Sequence, residues 1–165
     1  NIFGNCMKID LKNIEDIGKR IKNIENAKAK LLKNNIKIIK TSSYYETLSW
    51  PNPLLPKFYN IVLKIKTSLN ELQLLDLCKN IEKSLGRKKT LKNAPRVCDI
   101  DILDYDKTLK SNQIYLPHPR MHKRNFVLMP LFEINKEWKH PVTKQHIKKL
   151  IFSLSNKDIS SIKLI

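Results

Sequence analysis

FYNIVLKIKTSLNELQLLDLCKNIEKSLG, residues 58–86, contains both of the periodicities from which the fold can be read. In its first part Ile61, Leu63 and Ile65 alternate with Val62, Lys64 and Lys66. That period of two predicts a half-buried strand over 58–67. In its second part Leu72, Leu75, Cys78, Ile81 and Leu85 recur at helical spacing and form the expected inner face of a helix. Ser68 or Asn70 supplies an N-cap oxygen, and Gly86 is the expected C-terminal stop.

Upstream, residues 18–34 put Ile21, Ile24, Ala27, Leu31 and Leu32 on one helical stripe with lysines opposite. Asn34-Asn35 ends that helix, and IKIIKTSSYYET (36–47) reads as a strand. WPNPLLP (50–56) carries three prolines in seven residues and is a loop. Downstream, a basic loop RKKTLKNAP (87–95) leads into RVCDIDILDY (96–105), a strand with Val97, Asp99 and Asp101 on one side. A helix is expected from about Asn125 in LPHPRMHKRNFVLMPLFEI (116–134), and another short one in HPVTKQHIKKLIFSL (140–154). With one strand preceding, the order is βαββαβ, an α+β ferredoxin-like fold whose antiparallel sheet is packed with helices. No repeat or linker divides the chain, so residues 1–165 are expected to form a single domain.

The composition agrees with that size of domain. Forty-one per cent of the 165 residues are hydrophobic, enough for a sizeable core. No apolar run approaches the ~20 residues of a membrane-spanning helix, and Asn1 to Asp10 lacks the layout of a secretory signal. Cys6, Cys78 and Cys98 are an odd count without a CxxC, which suggests neither a disulfide frame nor a zinc site. A soluble, cytoplasmic protein is expected. The net charge of +17, from 32 basic and 15 acidic residues, favours anionic partners: nucleic acid, phosphorylated metabolites or a membrane surface. Abundant Lys, Ile and Asn together also fit a biased codon composition spread over a solvated surface. Arginines are few (Arg20, Arg87, Arg96, Arg120 and Arg124) and therefore more informative.

Asp99 and Asp101 are the sharpest chemical feature. Residues i and i+2 of a strand share a face, so two carboxylates lie together while Cys98, Ile100 and Ile102 point the other way. Adjacent acids repel and are costly to desolvate; a divalent cation relieves both costs. Mg²⁺, which takes carboxylate, water and phosphate oxygens, suits the pair. Pairing of both acids with lysines at a strand edge would also satisfy this spacing. Arg96 stands three residues before Asp99, and Arg87 opens the preceding loop with Lys88, Lys89 and Lys92. Guanidinium groups beside metal-binding carboxylates are the equipment of phosphoryl transfer. Trp50, Phe58, Asn60 and Phe126 could line an apolar slot with a few fixed donors and acceptors.

SSYYET (42–47), FYN (58–60), GR (86–87), APRVCDIDI (94–102) and PHPRMHKRNFVLMPLFEI (117–134) occur in the order and spacing of a known family. Over roughly residues 17–150 the chain resembles the 6-hydroxymethyl-7,8-dihydropterin pyrophosphokinases of folate biosynthesis. The resemblance implies a ferredoxin-like fold and an enzyme that transfers the terminal pyrophosphate of MgATP to the pterin hydroxymethyl oxygen, releasing AMP. It implies two Mg²⁺ ions on Asp99 and Asp101, with Arg87 and Arg96 on a loop that closes over the reactants. Phe126 and a loop aromatic would stack on the pterin, and Asn60 with the backbone near Thr47 and Leu48 would bond its edge. His118 and Arg124 would meet the ATP phosphates, with Glu82, Lys89, Ile102 and Tyr115 nearby. The expected partners are these small molecules, with neither nucleic acid nor membrane, and a monomer.

The chain departs from that family in three places. Ile17-Gly18-Lys19-Arg20 matches its Leu-Gly-x-Arg, but Ile14-Glu15-Asp16 replaces the Gly-Ser-Asn before it. Asn93 falls where a tryptophan often stacks on the pterin, a role Trp50 could take over, and Lys79 falls where a glutamine commonly contacts ATP. Two other readings use the same features. A basic RNA-binding module shares the topology, although it would lack an aromatic RNP-like run and would turn Asp99 and Asp101 towards phosphates. A family member inactivated by its altered N-terminal region is the other. Replacing either aspartate by alanine is expected to cost little stability, since it relieves a repulsion.

Overall fold

The alternating segment becomes the strand on which the sheet is assembled. The computed structural model describes residues 5–11, 17–48, 54, 57–86 and 98–165. In chain order these form β1 (Asn5–Leu11), α1 (Ile17–Lys33), β2 (Lys37–Thr41), β3 (Tyr45–Thr47), β4 (Phe58–Lys66), α2 (Glu71–Ser84) and β5 (Asp99–Asp104). A small hairpin of β6 (Lys110–Ser111) and β7 (Tyr115–Leu116) follows, then α3 (Asn125–Ile134), α4 (Ile147–Phe152), α5 (Asn156–Ser160) and β8 (Lys163–Leu164). The main sheet runs β5-β1-β4-β3-β8, with β2 also paired to β4, and every pairing is antiparallel. This is the expected ferredoxin-like α+β arrangement.

Two cores sandwich the sheet. Met7, Ile9, Ile61, Leu63, Ile65, Ile100 and Ile102 pack beneath α1 and α2. On the other face Cys6, Val62 and Leu103 pack beneath α3 and α4 through Val127, Leu128, Leu131, Ile147 and Leu150. The expectation of a half-buried β4 is therefore corrected: Val62 is fully buried, because α3 covers the face that a two-layer fold would leave wet. Among the described residues no helix is long and apolar enough to cross a membrane.

Both helical stripes are rotated slightly from the expected ones. In α2 the buried line is Leu74, Cys78 and Ile81, while Leu72 is 36% exposed. A capping box starts the helix. Asn70 Oδ1 accepts from the backbone N–H groups of Leu72 and Gln73, and Gln73 Oε1 accepts from the Asn70 N–H. That capping box fixes the helix start, while packing of Leu74, Cys78 and Ile81 into the core sets the face turned inward. In α1 Ile24, Ala27 and Leu31 are buried, whereas Leu32 is 56% exposed. Arg20, on the same helix, donates to the Lys57 carbonyl at 2.8 Å and lies 4.7 Å from the Tyr59 ring centre, tying α1 to the start of β4.

The single strand expected over 36–47 is broken in two. Ser42 N donates to the Val62 carbonyl and Ser42 Oγ accepts from the Val62 N–H, both at 2.9 Å. One side chain thus occupies a rung of the backbone ladder, and β2 and β3 grip β4 separately. β8 then pairs with β3, a contact that two residues of sequence could not announce.

Leu74→Ala should cost ~2–5 kcal/mol in urea denaturation, the range for emptying a closed core position. Leu72→Ala should cost less than ~1 kcal/mol, as for a partly exposed site. Equal losses would contradict this assignment of the α2 inner face.

Candidate active site

Backbone register sets the chemistry of the covered face. Cys98, Ile100 and Ile102 enter the α1/α2 core, so Asp99 and Asp101 emerge on the α3 side, each half-buried. Lys8 on β1 stands directly opposite Asp101, and Asp10 opposite Asp99. Across β1 the same rows continue to Val62 and Asn60 on β4. Asp99 and Asn60 thus end one cross-strand row, two strand spacings or ~10 Å apart.

Lys8 was not singled out by the sequence. It is 2% exposed, its Nζ lies 3.3 Å from Asp101 Oδ2, and it sits 4.9 Å from the centre of the Phe126 ring. A buried ammonium is tolerated where a carboxylate and a ring face replace its water. Burial alone would push the Asp101 carboxyl up, but the Lys8 ammonium, with His118 and Arg124, holds it below the usual range. Removal of Asp101 is therefore not the mild change expected from relieving repulsion, because alanine leaves Lys8 without that carboxylate. The available signal was the lone lysine in Cys6-Met7-Lys8-Ile9, on a strand hidden by the absence of Gly-Ser-Asn.

Around this pair stand several of the expected residues. Phe126 lies in the first turn of α3, with the Arg124 guanidinium 5.4 Å from its centre. The His118 backbone N–H donates to the Leu103 carbonyl at 2.8 Å, and its Nδ1 accepts from the Arg120 N–H at 3.2 Å. Burial, helped by the charges of Arg124, Lys8 and Arg120 and opposed by Asp101, lowers the His118 imidazole to about 4. It is neutral at pH 7, and the Arg120 bond leaves its proton on Nε2. At the far end of the face, buried Asn60 Nδ2 donates to Thr47 Oγ1 at 3.2 Å and to the Tyr45 carbonyl at 3.5 Å. Phe58 is half-buried opposite Thr47, and Leu48 is exposed beside them.

Other candidates are placed differently. The Ile102 side chain lies in the α1/α2 core, so at the acid face it offers only backbone. Glu82 is buried, not solvated: its Oε1 accepts from the Ile100 N–H at 2.8 Å, and its Oε2 pairs with Lys79 at 3.4 Å. This fastens α2 beneath β5. Tyr115 is exposed on the small hairpin and lines a cleft of about 470 Å³ with Leu109, Lys110, Pro119 and His122. Trp50, Arg87, Lys89, Asn93 and Arg96 lie outside the described residues. Among the described residues no group of three or more His, Cys, Asp or Glu forms a metal cage. The oxygen pair of Asp99 and Asp101 fits part of the shell of a hard cation, completed by phosphate and water.

The His118 shift fixes a pH dependence. Its folded value lies below the ordinary 6.5, so the unfolded chain takes up the proton first. Its contribution to stability is whole above pH 6.5 and is lost as the pH falls from 6.5 towards about 4. Imidazole NMR of the ligand-free chain should give a His118 midpoint near 4; a midpoint near 6.5 would contradict its enclosure.

Several known proteins are similar to this chain. A profile of the 7,8-dihydro-6-hydroxymethylpterin-pyrophosphokinase family matches residues 13–136. A 2-amino-4-hydroxy-6-hydroxymethyldihydropteridine pyrophosphokinase of Aquifex aeolicus is 39% identical over 135 residues, covering 81% of this chain and 84% of that protein. The folic acid synthesis protein fol1 of Pneumocystis carinii is 40% identical over 148 residues, covering 89% of this chain. This chain spans only 20% of that larger relative. In fold, a Plasmodium falciparum HPPK-DHPS triple mutant with pterin and p-hydrobenzoate aligns with a TM-score of 0.70 at 17% identity, over 98% of this chain and 48% of that one. The chain belongs to the 7,8-dihydro-6-hydroxymethylpterin-pyrophosphokinase family.

Proposed function

We propose that this chain transfers pyrophosphate from ATP to 6-hydroxymethyl-7,8-dihydropterin in folate biosynthesis, with Asp99 and Asp101 holding Mg²⁺. The observation that carries the site assignment is the gathering of Asp99, Asp101, Phe126, His118 and Arg124 on one sheet face, in line with Asn60. A bond forms between the hydroxymethyl oxygen and the β-phosphorus as the bond from that phosphorus to the α,β-bridging oxygen breaks. AMP leaves with the bridging oxygen, and the hydroxyl proton passes to water. Bound Mg²⁺ would neutralise phosphate charge and hold the two substrates together.

The chain's own groups do the rest. Arg87 and Arg96, with Lys89, would neutralise the β- and γ-phosphates from the loop between α2 and β5. Neutral His118 would donate from Nε2, and Arg124 would pair with phosphate oxygens. Phe126, with Phe58 and Trp50, would provide stacking surface. Asn60, with the Thr47 and Leu48 backbone, would bond the pterin edge. Glu82 would position β5 and its acids, while Tyr115 and the Ile102 backbone would lie towards the nucleotide. These partners are all small molecules, which a monomer in the cytoplasm could meet; the buried, unbridged Cys6, Cys78 and Cys98 suit a reducing compartment. An RNA-binding sheet needs an open stacking face, whereas α3 and α4 cover this one.

Incubation with ATP, Mg²⁺ and the hydroxymethyl-dihydropterin should yield AMP; ADP instead would mean a different transfer. Asp99→Ala and Asp101→Asn, the latter retaining an acceptor for Lys8, should each lower kcat by ~10²-fold or more. Full activity in either variant would remove that residue from the metal site. Phe126→Ala should raise the pterin KM by roughly 2–10-fold, the loss of one aromatic stack, with kcat changed less.

A further inference from the structure

The two ends of α3 are tied down by different parts of the chain. In its last turn the Glu133 carboxylate accepts from the Ser43 N–H at 2.9 Å and from the Ser43 and Tyr45 hydroxyls at 2.8 Å. In its first turn, which carries Phe126, the tie runs through buried Asn125 to the C-terminal segment. Asn125 Nδ2 donates to the Asp158 carbonyl at 2.5 Å and to Ser161 Oγ at 3.1 Å, while its Oδ1 accepts from the Phe126 N–H at 2.7 Å. A carbonyl can only accept and an N–H can only donate, so the amide fits in one orientation. Arg124, the N-cap, gives α3 no side-chain acceptor. Asn125 therefore satisfies a first-turn N–H and anchors that turn with the same side chain.

The segment that receives Asn125 is held by polar contacts and not by a core. α5 buries none of its residues, and Ser155 Oγ starts it by accepting from the Asp158 N–H at 3.1 Å. Beyond it β8 sets Lys163 opposite Glu46 and Leu164 opposite Tyr45, and the Ile165 N–H donates to the Tyr44 carbonyl at 3.1 Å. The next residue of β3 is Thr47, whose Oγ1 accepts from Asn60 Nδ2 at 3.2 Å. One short stretch thus runs from the turn that bears Phe126 to the strand that bears Thr47. Helix ends fray when nothing outside the helix holds them. A rigid ring that must stack on one of these elements and bond the other tolerates little change in their separation.

We propose that residues 155–165 form a strap that sets the spacing between the Phe126 ring and β3, and so the fit of the pterin, with Asn125 as the positioning residue through which the strap reaches Phe126. The inference rests on the pyrophosphoryl-transfer reading and deepens it. The strap governs how the bicyclic substrate is held, not the chemistry at phosphorus, and Asn125 acts without touching the reacting atoms.

The test releases the strap at each end in turn and follows AMP formation by the full chain. Asn125→Ala frees the α3 end, and Ile165→Pro removes the N–H that Tyr44 accepts at the other. Each variant should raise the pterin KM by about 3–10-fold, below the ~10²-fold that misplacement by an ångström can cost, with kcat and the ATP KM changed less than about twofold. The double variant should be no worse than the worse single, because a strap released at one end is already slack, whereas independent local effects would multiply. An unchanged pterin KM in Ile165→Pro, an equal rise in the ATP KM, or multiplied effects in the double variant would overturn the proposal. Should Asn125→Ala fail to fold, Ser161→Ala, which takes one acceptor from the Asn125 amide, replaces it under the same criteria. AMP release by the parent with unaltered pterin KM in the variants would end this inference and leave the function intact. A folded parent chain that releases no AMP would end both.

Discussion

The contact between Lys8 and Asp101 joins the packing of this protein to its chemistry. Lys8 is on a central strand with helices on both sides of the sheet, where an ammonium without a partner would be intolerable. Its ammonium stands 3.3 Å from a carboxylate that the family resemblance assigns to metal, and the contact holds only while β1 and β5 keep their register. A slip of one residue would exchange every side chain between the two faces, sending Ile100 to the acid site and Asp101 into the apolar core. The cores beneath α1/α2 and beneath α3/α4 both oppose that slip.

The second core also distinguishes this molecule from a bare ferredoxin-like sandwich. With α3 across the sheet, the acids, Phe126 and Asn60 occupy an edge of a covered face, where water is partly excluded and the field of a few charges reaches further. The lowered His118 is one sign of that environment, and the depressed Asp101 another. Burial is the main cause of the first, with Arg124, Lys8 and Arg120 adding to it; in the second, Lys8, His118 and Arg124 outweigh the burial that would raise the carboxyl.

Much of the fold was legible because it rests on strong local periods. β4 follows from the alternation of Ile61, Leu63 and Ile65, and β5 carries Asp99 and Asp101 on the face their spacing demands. What escaped was tertiary. Val62 looked solvent-facing because nothing local announces that α3 will lie on it. Leu72 looked internal because it shares a helical stripe with Cys78, yet the core takes Leu74, Cys78 and Ile81. Glu82 looked like a surface acid, yet it receives the Ile100 N–H that β5 presents to α2. Lys8 was missed for a related reason: a lysine reads as exposed until the strand opposite supplies Asp101. His118, Arg124, Phe126 and Asn60 could be located through their motif neighbours, since periodicity says nothing about a loop histidine or a single asparagine.

The short β8 has a consequence for how these molecules behave towards one another. Sheets whose rims lie open recruit strands from neighbouring chains. Here Lys163 and Leu164 lie along β3, and the Ile165 N–H donates to the Tyr44 carbonyl at 3.1 Å, so the rim beside Thr47 is already occupied. The strip that replaces it is two residues long and bears a lysine, a poor template for a growing stack. In a chain of net charge +17, mutual repulsion adds to that safeguard at this border of the sheet.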